Sequence, residues 1–458
     1  MMILLIISIL HCDTPARCEY DAILGNWTLS IGSYIDNTRR DCPNEDPIEV
    51  KETRVIELIK PNLVVDGKGK ILGNWTQVCW EGVDIFIDDL HFFTFWKYEE
   101  TEKGVFVTDC TQTMQGWVRE NVVEPKQMAC FTGMKVGKNA HQTEPRLIKT
   151  KMSESGKQLD RPLPPAPVAS NRAHIAKLAK NLDWSNISGK SYTDPVLEQN
   201  ACGSCYIHAT LGALESRLLI ESSGDVSALL SVQDVLSCSH YGQQCKGGWL
   251  PEVAGYLKDH GAVDAKCFPY ENEVLPACSL SCDTPTRKFY PAYSSYVGGF
   301  YGNSSEEAMI AALQSGPIVV NIYYSLPSLL NYKSGIYVPT ESPEEQNKTI
   351  DHCVVLVGYG EENGVPFWKI KNSFGQNWGE NGYARIYRGN NTIQIESMAE
   401  VIYPLYTPQK KAATFLKLPE FWMMMISAGF VFLLLIVAVS LACAKRSQSS
   451  TKKDYQKF

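Results

Sequence analysis

Gln199-Asn200-Ala201-Cys202-Gly203-Ser204-Cys205-Tyr206 sets a thiol at the head of an apolar helical run. Leu211, Leu214, Leu218 and Leu219 recur behind it at helical spacing, which places Cys205 at a helix N-terminus. Exposed amide N–H groups and the positive end of the helix dipole favour a thiolate there. Six residues upstream, the side-chain amide of Gln199 is a candidate oxyanion donor beside the backbone N–H of Cys205. A nucleophile with two such donors suits acyl transfer. The competing reading is that Cys205 is one more half-cystine, because the chain carries fifteen cysteines.

A chain of 458 residues has room for two or three domains and a sizeable core. Its net charge of -7 is not gathered into blocks, so nothing points to nucleic acid. Residues 1–10 are an apolar run too short to cross a bilayer, which suits a signal peptide over 1–12 with Asp13 as the mature N-terminus. Cysteine-rich composition behind such a leader implies an oxidising compartment. Asn-X-Ser/Thr sequons at Asn26, Asn74, Asn186, Asn303, Asn347 and Asn390 agree with that.

From 13 to 137, short alternating runs at 54–59, 84–87 and 93–98 are separated by Gly and Asn turns. They predict an antiparallel β-barrel or sandwich. The aromatic stripe of 93–98 reads as core, with a sugar- or peptide-binding face as the alternative. Residues 138–181 are polar and Lys-rich and end in a Pro-rich run at 161–167, which reads as an interdomain linker. From 182 to 407 a helical half precedes a half rich in strands. Residues 421–444 hold no charge and are long enough to cross a ~30 Å hydrocarbon core. Lys445 and Arg446 follow at once, so the tail 445–458 is expected in the cytosol, giving a type I membrane protein. A buried helix of a soluble protein is the other reading. Tyr455-Gln456-Lys457-Phe458 resembles a tyrosine-based endosomal sorting signal.

Cys202-Gly203-Ser204-Cys205-Tyr206 resembles the nucleophile signature of papain-like cysteine proteases. That resemblance implies a His and an Asn far downstream. His352 stands before the apolar run 354–357, and Asn372 follows the run 367–370. Asp13-Thr14-Pro15-Ala16, Gly116-Trp117-Val118 and Cys130-Phe131-Thr132-Gly133 narrow the resemblance to the cathepsin C family and its N-terminal exclusion domain. The fold so implied is α+β: a papain-like two-lobe protease domain at 182–407, an antiparallel β-barrel exclusion domain at 13–137 before it, and a C-terminal transmembrane helix at 421–444. In the family, the region equivalent to 138–181 is an excised activation segment, so activating proteases are expected partners.

The family's chemistry, carried over by motif, makes Cys205 the nucleophile and His352 its base and then acid. Asn372 orients the imidazole, and Gln199 joins the Cys205 N–H at the oxyanion. Gly247 and Gly248, in Cys245-Lys246-Gly247-Gly248, line the unprimed side of the cleft, where a backbone pairs with an extended peptide. Asp13 meets the substrate's free ammonium. A chloride is implied beside Phe268-Pro269-Tyr270, with a hydroxyl from the Tyr323-Tyr324 region; no metal or organic cofactor is implied. Family spacing suggests the pairs Cys18–Cys110, Cys42–Cys130, Cys202–Cys245, Cys238–Cys278 and Cys267–Cys282, leaving Cys205, Cys79 and Cys353 outside them. His208 stands where Phe is usual, and Phe374 where Trp is usual. His208 is expected to find a partner in the core, and Phe374 to keep the apolar cover.

The implied activity is a cysteine-type dipeptidyl aminopeptidase acting on peptides and proteins with free N-termini in a lysosome- or endosome-like vesicle. A homo-oligomer is implied as well, since the family forms tetramers. The alternatives are a papain-like endopeptidase with an open cleft, or an inactive membrane-bound binding protein on a protease scaffold.

Overall fold

The expected alternating runs lie in the strands Glu52–Ile59, Gly82–Ile87 and Leu90–Glu102. The structure, a computed structural model, describes residues 14–36, 42, 47–137, 147–151 (backbone only), 180–239, 241–278, 282, 287–346 and 350–406. Asp13, the leader, most of 138–181, the span 421–444 and the tail to Phe458 lie outside these residues. Among the described residues, no helix is long and apolar enough to cross a membrane.

Eight antiparallel strands close into a barrel. They run Gly25–Ile31, Glu52–Ile59, Leu63–Val65, Ile71–Val78, Gly82–Ile87, Leu90–Glu102, Gly116–Glu120 and Gln127–Val136, and the last pairs back onto the first. Closure leaves the barrel without open edges. The strand period of two splits the aromatic stripe. Phe92 and Trp96 fill the barrel core with Trp27, Trp75 and Phe131. Phe93 points the other way and stacks on Trp117, with ring centroids 5.4 Å apart. Trp117 in turn meets Tyr241 edge-on, so the outer aromatic face packs toward the protease domain. Part of the expected linker, Leu147–Lys151, pairs as a strand with Val105–Thr113.

The second half is organised around one strand. His352–Glu362 is buried over its first nine residues, as an apolar strand covered on both faces should be. Val355 and Val357 enter the core built on the long helix Cys205–Glu221, with Leu211, Leu214 and Leu257. Val354 and Leu356 enter the other core, with Val320, Trp368 and Ile370. Alternate residues of a single strand therefore feed two cores, the helical lobe and the β lobe. The sheet runs Pro291–Tyr296, Ala399–Pro404, Ile318–Ile322, His352–Glu362, Val365–Lys371, Tyr383–Tyr387, Ile336–Tyr337.

Four of the expected disulfides are formed: Cys18–Cys110, Cys42–Cys130, Cys202–Cys245 and Cys267–Cys282. The expected Cys238–Cys278 pair is not closed. Cys278 is exposed, with its Sγ 3.5 Å from the Ser237 carbonyl, while Cys238 is buried in the helical lobe.

Barrel and protease domain meet through a small apolar cluster and a buried ion pair. Cys79 and Trp80 of the barrel pack with Trp249, Tyr296, Tyr301, Ile350 and Met398. Arg119 of the barrel pairs with Asp259, side chains 4% and 1% exposed, and its guanidinium lies 3.7 Å from the Trp117 ring centroid.

Candidate active site

Cys205 is the first residue of its helix and is buried. The turn before it is held on both sides. Gly203 N–H donates to the Cys245 carbonyl at 2.9 Å, beside the Cys202–Cys245 disulfide, and Ser204 N–H donates to the Cys202 carbonyl at 2.8 Å. Ser204 occupies the N-cap, yet its hydroxyl makes no capping bond. It lies 2.8 Å from the Tyr270 hydroxyl, which is 2.8 Å from the Gln199 carbonyl. A carbonyl only accepts, so Tyr270 donates to Gln199 and Ser204 donates to Tyr270. The residues on either side of the nucleophile loop are thereby tied together.

The Gln199 side chain is fixed at both ends. Ser373 Oγ donates to Gln199 Oε1 at 2.6 Å, and Gln199 Nε2 donates to the Cys202 carbonyl at 3.0 Å. The second bond identifies the nitrogen, since a carbonyl only accepts, and it leaves the NH2 group facing the cysteine loop. Gln199 N–H also donates to the Ser373 carbonyl at 2.9 Å, and a β-bridge joins Glu198 to Phe374. This crossing brings Ser373, 174 residues downstream and next to Asn372, against the Gln199 loop.

Register supplies the other half. Ile322 lies opposite His352, and Lys371 opposite Val355, so His352 opens one strand and Asn372 follows the end of its neighbour. Both are buried. His352 Nε2 lies 2.8 Å from Asn372 Oδ1, and Ser373 N–H donates to the same oxygen at 2.8 Å. That oxygen only accepts, so Nε2 carries the proton and Nδ1 is the imidazole's acceptor. Phe374 stacks on His352 at 4.8 Å and 25°, with Tyr324 5.1 Å away. Phe at 374 thus supplies apolar cover over the ring.

His208 is buried, and its Nδ1 donates to the Ser204 carbonyl at 2.9 Å. Burial pushes its pKa down to about 4, and the neighbouring Lys371 and His352 charges act in the same direction. Lys371 itself forms a buried pair with Asp194. His208 is therefore a neutral core histidine bracing the N-cap.

The Gly pair has two separate reasons. Gly247 sits at φ 111° and ψ −163°, a conformation closed to side chains. A Cβ on Gly248 would lie 2.4 Å from the Tyr206 ring and 2.5 Å from Glu252 Oε2. The loop is joined to the cysteine turn through Cys245. The Tyr270 hydroxyl, by contrast, is committed to Ser204 and Gln199, and the Tyr323 hydroxyl donates to the Ser325 carbonyl at 3.3 Å. Among the described residues, no group of three or more His, Cys, Asp or Glu could hold a metal ion.

The structure thus brings together Gln199, Cys202–Cys205, His352 and Asn372 through chain crossings and hydrogen bonds. Ser204, Ser373 and the hydroxyl of Tyr270 are participants that the sequence reading did not single out. Their one sequence signal is a polar residue directly beside a site residue, or within a motif already noted.

The papain family cysteine protease model matches residues 178–404, and the cathepsin C exclusion domain model matches residues 13–135. Cathepsin C of Schistosoma mansoni is 30% identical over 440 residues, covering 84% of this chain and 94% of that protein. Digestive cysteine proteinase 1 of Homarus americanus is 35% identical over 235 residues, covering 50% of this chain and 68% of that protein.

Proposed function

The chain belongs to the cathepsin C family of papain-like cysteine proteases, and from that premise we propose that it is a dipeptidyl aminopeptidase. The Cys205 thiolate attacks the second peptide carbonyl of a bound substrate. The resulting oxyanion accepts hydrogen bonds from the Cys205 N–H and from the Gln199 amide, whose side chain Ser373 and the Cys202 carbonyl already hold. Imidazolium His352 gives its Nδ1 proton to the leaving amine, and the C–N bond breaks to a thioester. Water, deprotonated by the same nitrogen, then attacks the thioester and releases the dipeptide and the thiolate. Asn372 keeps the ring's Nε2–H engaged throughout and so preserves the working tautomer.

The observation that carries this reading is the barrel fixed to the protease domain by the buried Arg119–Asp259 pair and the Trp117–Tyr241 contact. A rigidly attached domain is what limiting the unprimed cleft to two residues requires. Asp13, the expected mature N-terminus, would meet the substrate ammonium at that limit. Gly247 and Gly248 would pair with the substrate backbone, and a chloride near Phe268-Pro269-Tyr270 would complete the second pocket. The proposed setting is an acidic vesicle, with the domain order 13–137, 138–181 and 182–407 in the lumen and 421–444 in the membrane. Comparing a dipeptidyl reporter with its N-acetylated form tests the reading, since an endopeptidase would be indifferent to the amine.

A further inference from the structure

A groove of about 530 Å3 runs between the barrel and the protease domain, away from Cys205, His352 and Asn372. Its volume lies within the ~300–1,000 Å3 typical of built small-molecule sites. The lining is mixed. Phe86 and Tyr293 present aromatic surface, while Asp88, Asn121, Lys258 and Ser294 present donors and acceptors. Tyr293 is 53% exposed, with one face stacked on Tyr403 at 4.6 Å and the other open. Gly255 lines the same groove from within the helix Leu250–His260, and a Cβ there would meet nothing within 4 Å. Glycine weakens a helix relative to alanine, so a groove kept open at that cost has a use for the space.

Asn74 lines this groove from the barrel strand Ile71–Val78. It is exposed, its side-chain amide makes no hydrogen bond among the described residues, and it heads the sequon Asn74-Trp75-Thr76. We propose that Asn74 carries an N-linked glycan whose first sugars lie in this groove and join the barrel to the protease domain. Attachment forms a bond from Asn74 Nδ2 to the anomeric carbon of an oligosaccharide. The donor is a lipid-linked diphosphate in the secretory pathway; the amide loses one proton, and the lipid diphosphate leaves. Apolar faces of the sugar rings pack on the open face of Tyr293 and on Phe86. Their hydroxyl and acetamide groups hydrogen-bond to Asp88 and to the Lys258–Asn121 pair, in which Lys258 donates to the Asn121 side-chain oxygen. Strand placement serves this geometry, because Asn74 is paired on both sides, to Leu63 and to Phe86, and cannot swing away.

The full chain, expressed in a eukaryotic secretory host, supplies the test. Peptide-N-glycosidase acting in oxygen-18 water converts each glycosylated Asn to labelled Asp. The denatured chain is expected to show label at Asn74. In the native chain, release at Asn74 should be slower by about tenfold or more, because the groove must open first. Release at the exposed Asn186 and Asn390, where occupied, should change little on folding. Thr76→Ser keeps both the sequon and the hydroxyl that accepts from Tyr301 N–H at 3.1 Å, and should behave as wild type. An unmodified Asn74 overturns the proposal. So does release from the native chain as fast as from the denatured one.

Discussion

His352 Nε2 and Asn372 Oδ1 lie 2.8 Å apart, and Ser373 N–H donates to the same carboxamide oxygen. Two donors on one acceptor keep a proton on Nε2 and make Nδ1 the nitrogen that takes up and gives back the proton of the reaction. Cys205→Ala and His352→Ala are each expected to abolish hydrolysis while leaving the thermal transition intact. Because the pair acts as a unit, the double variant should be scarcely slower than either single one. Asn372→Ala should lower kcat more than it changes KM.

Gln199 is held at both ends of its side chain before any substrate arrives. A donor preorganised in this way contributes ~2.7–4 kcal/mol to transition-state stabilisation, so Gln199→Ala should reduce kcat by ~10²–10³. KM should stay near wild type. Ser373→Ala and Tyr270→Phe each release one restraint and should give smaller losses in the same parameter.

Two buried groups set opposing pH dependences on stability. Burial first, and then Lys371 and His352, depress His208 to about 4, so the unfolded chain takes up its proton first as pH falls. Stability from this residue is full above pH ~6.5 and is lost on descent toward pH 4. Burial raises the Glu400 carboxyl to about 7, opposed by the Asn321 amide, which donates to it at 3.1 Å. Its contribution has the other sign: full below pH ~4.5 and lost as pH rises to 7. Each is worth about 3 kcal/mol at most. Unfolding midpoints measured from pH 4 to 7 should change slope in opposite directions for His208→Phe and Glu400→Gln.

Arg119 has 4% of its side chain exposed and pairs with Asp259 across the two domains. Removing one partner of such a pair typically costs ~3–5 kcal/mol, because the other charge stays buried. Arg119→Ala should therefore lower the unfolding free energy by that order. On the proposed exopeptidase reading, it should also raise cleavage of N-blocked peptides, as the barrel loosens from the protease domain.

What was legible in the sequence is what local pattern encodes. Helical spacing behind Cys205 places it at a helix start, and alternation in 93–98 marks a strand with one face inward. His352 and Asn372 stood out only through a family signature, because the sheet register that positions them joins segments far apart in sequence. No local signal announces the bond from Ser373 to Gln199, 174 residues away, or the Arg119–Asp259 pair. The Cys238–Cys278 expectation came from the family resemblance, which does not fix where an exposed loop of this chain turns its thiol. The expectations at Asp13 and at 421–444 fall outside the described residues.

On the proposed function, this protease stops after two residues because a free amine is recognised where the cleft ends. The direct measurement is kcat/KM for one dipeptidyl reporter with a free amine and for its N-acetylated form. An ammonium paired with a desolvated carboxylate is worth ~2–5 kcal/mol, so the free-amine substrate should win by ~30-fold or more. Asp13→Ala should erase most of that ratio by slowing only the free-amine substrate. Equal cleavage of the two forms by the wild type would contradict the account and leave an endopeptidase in its place.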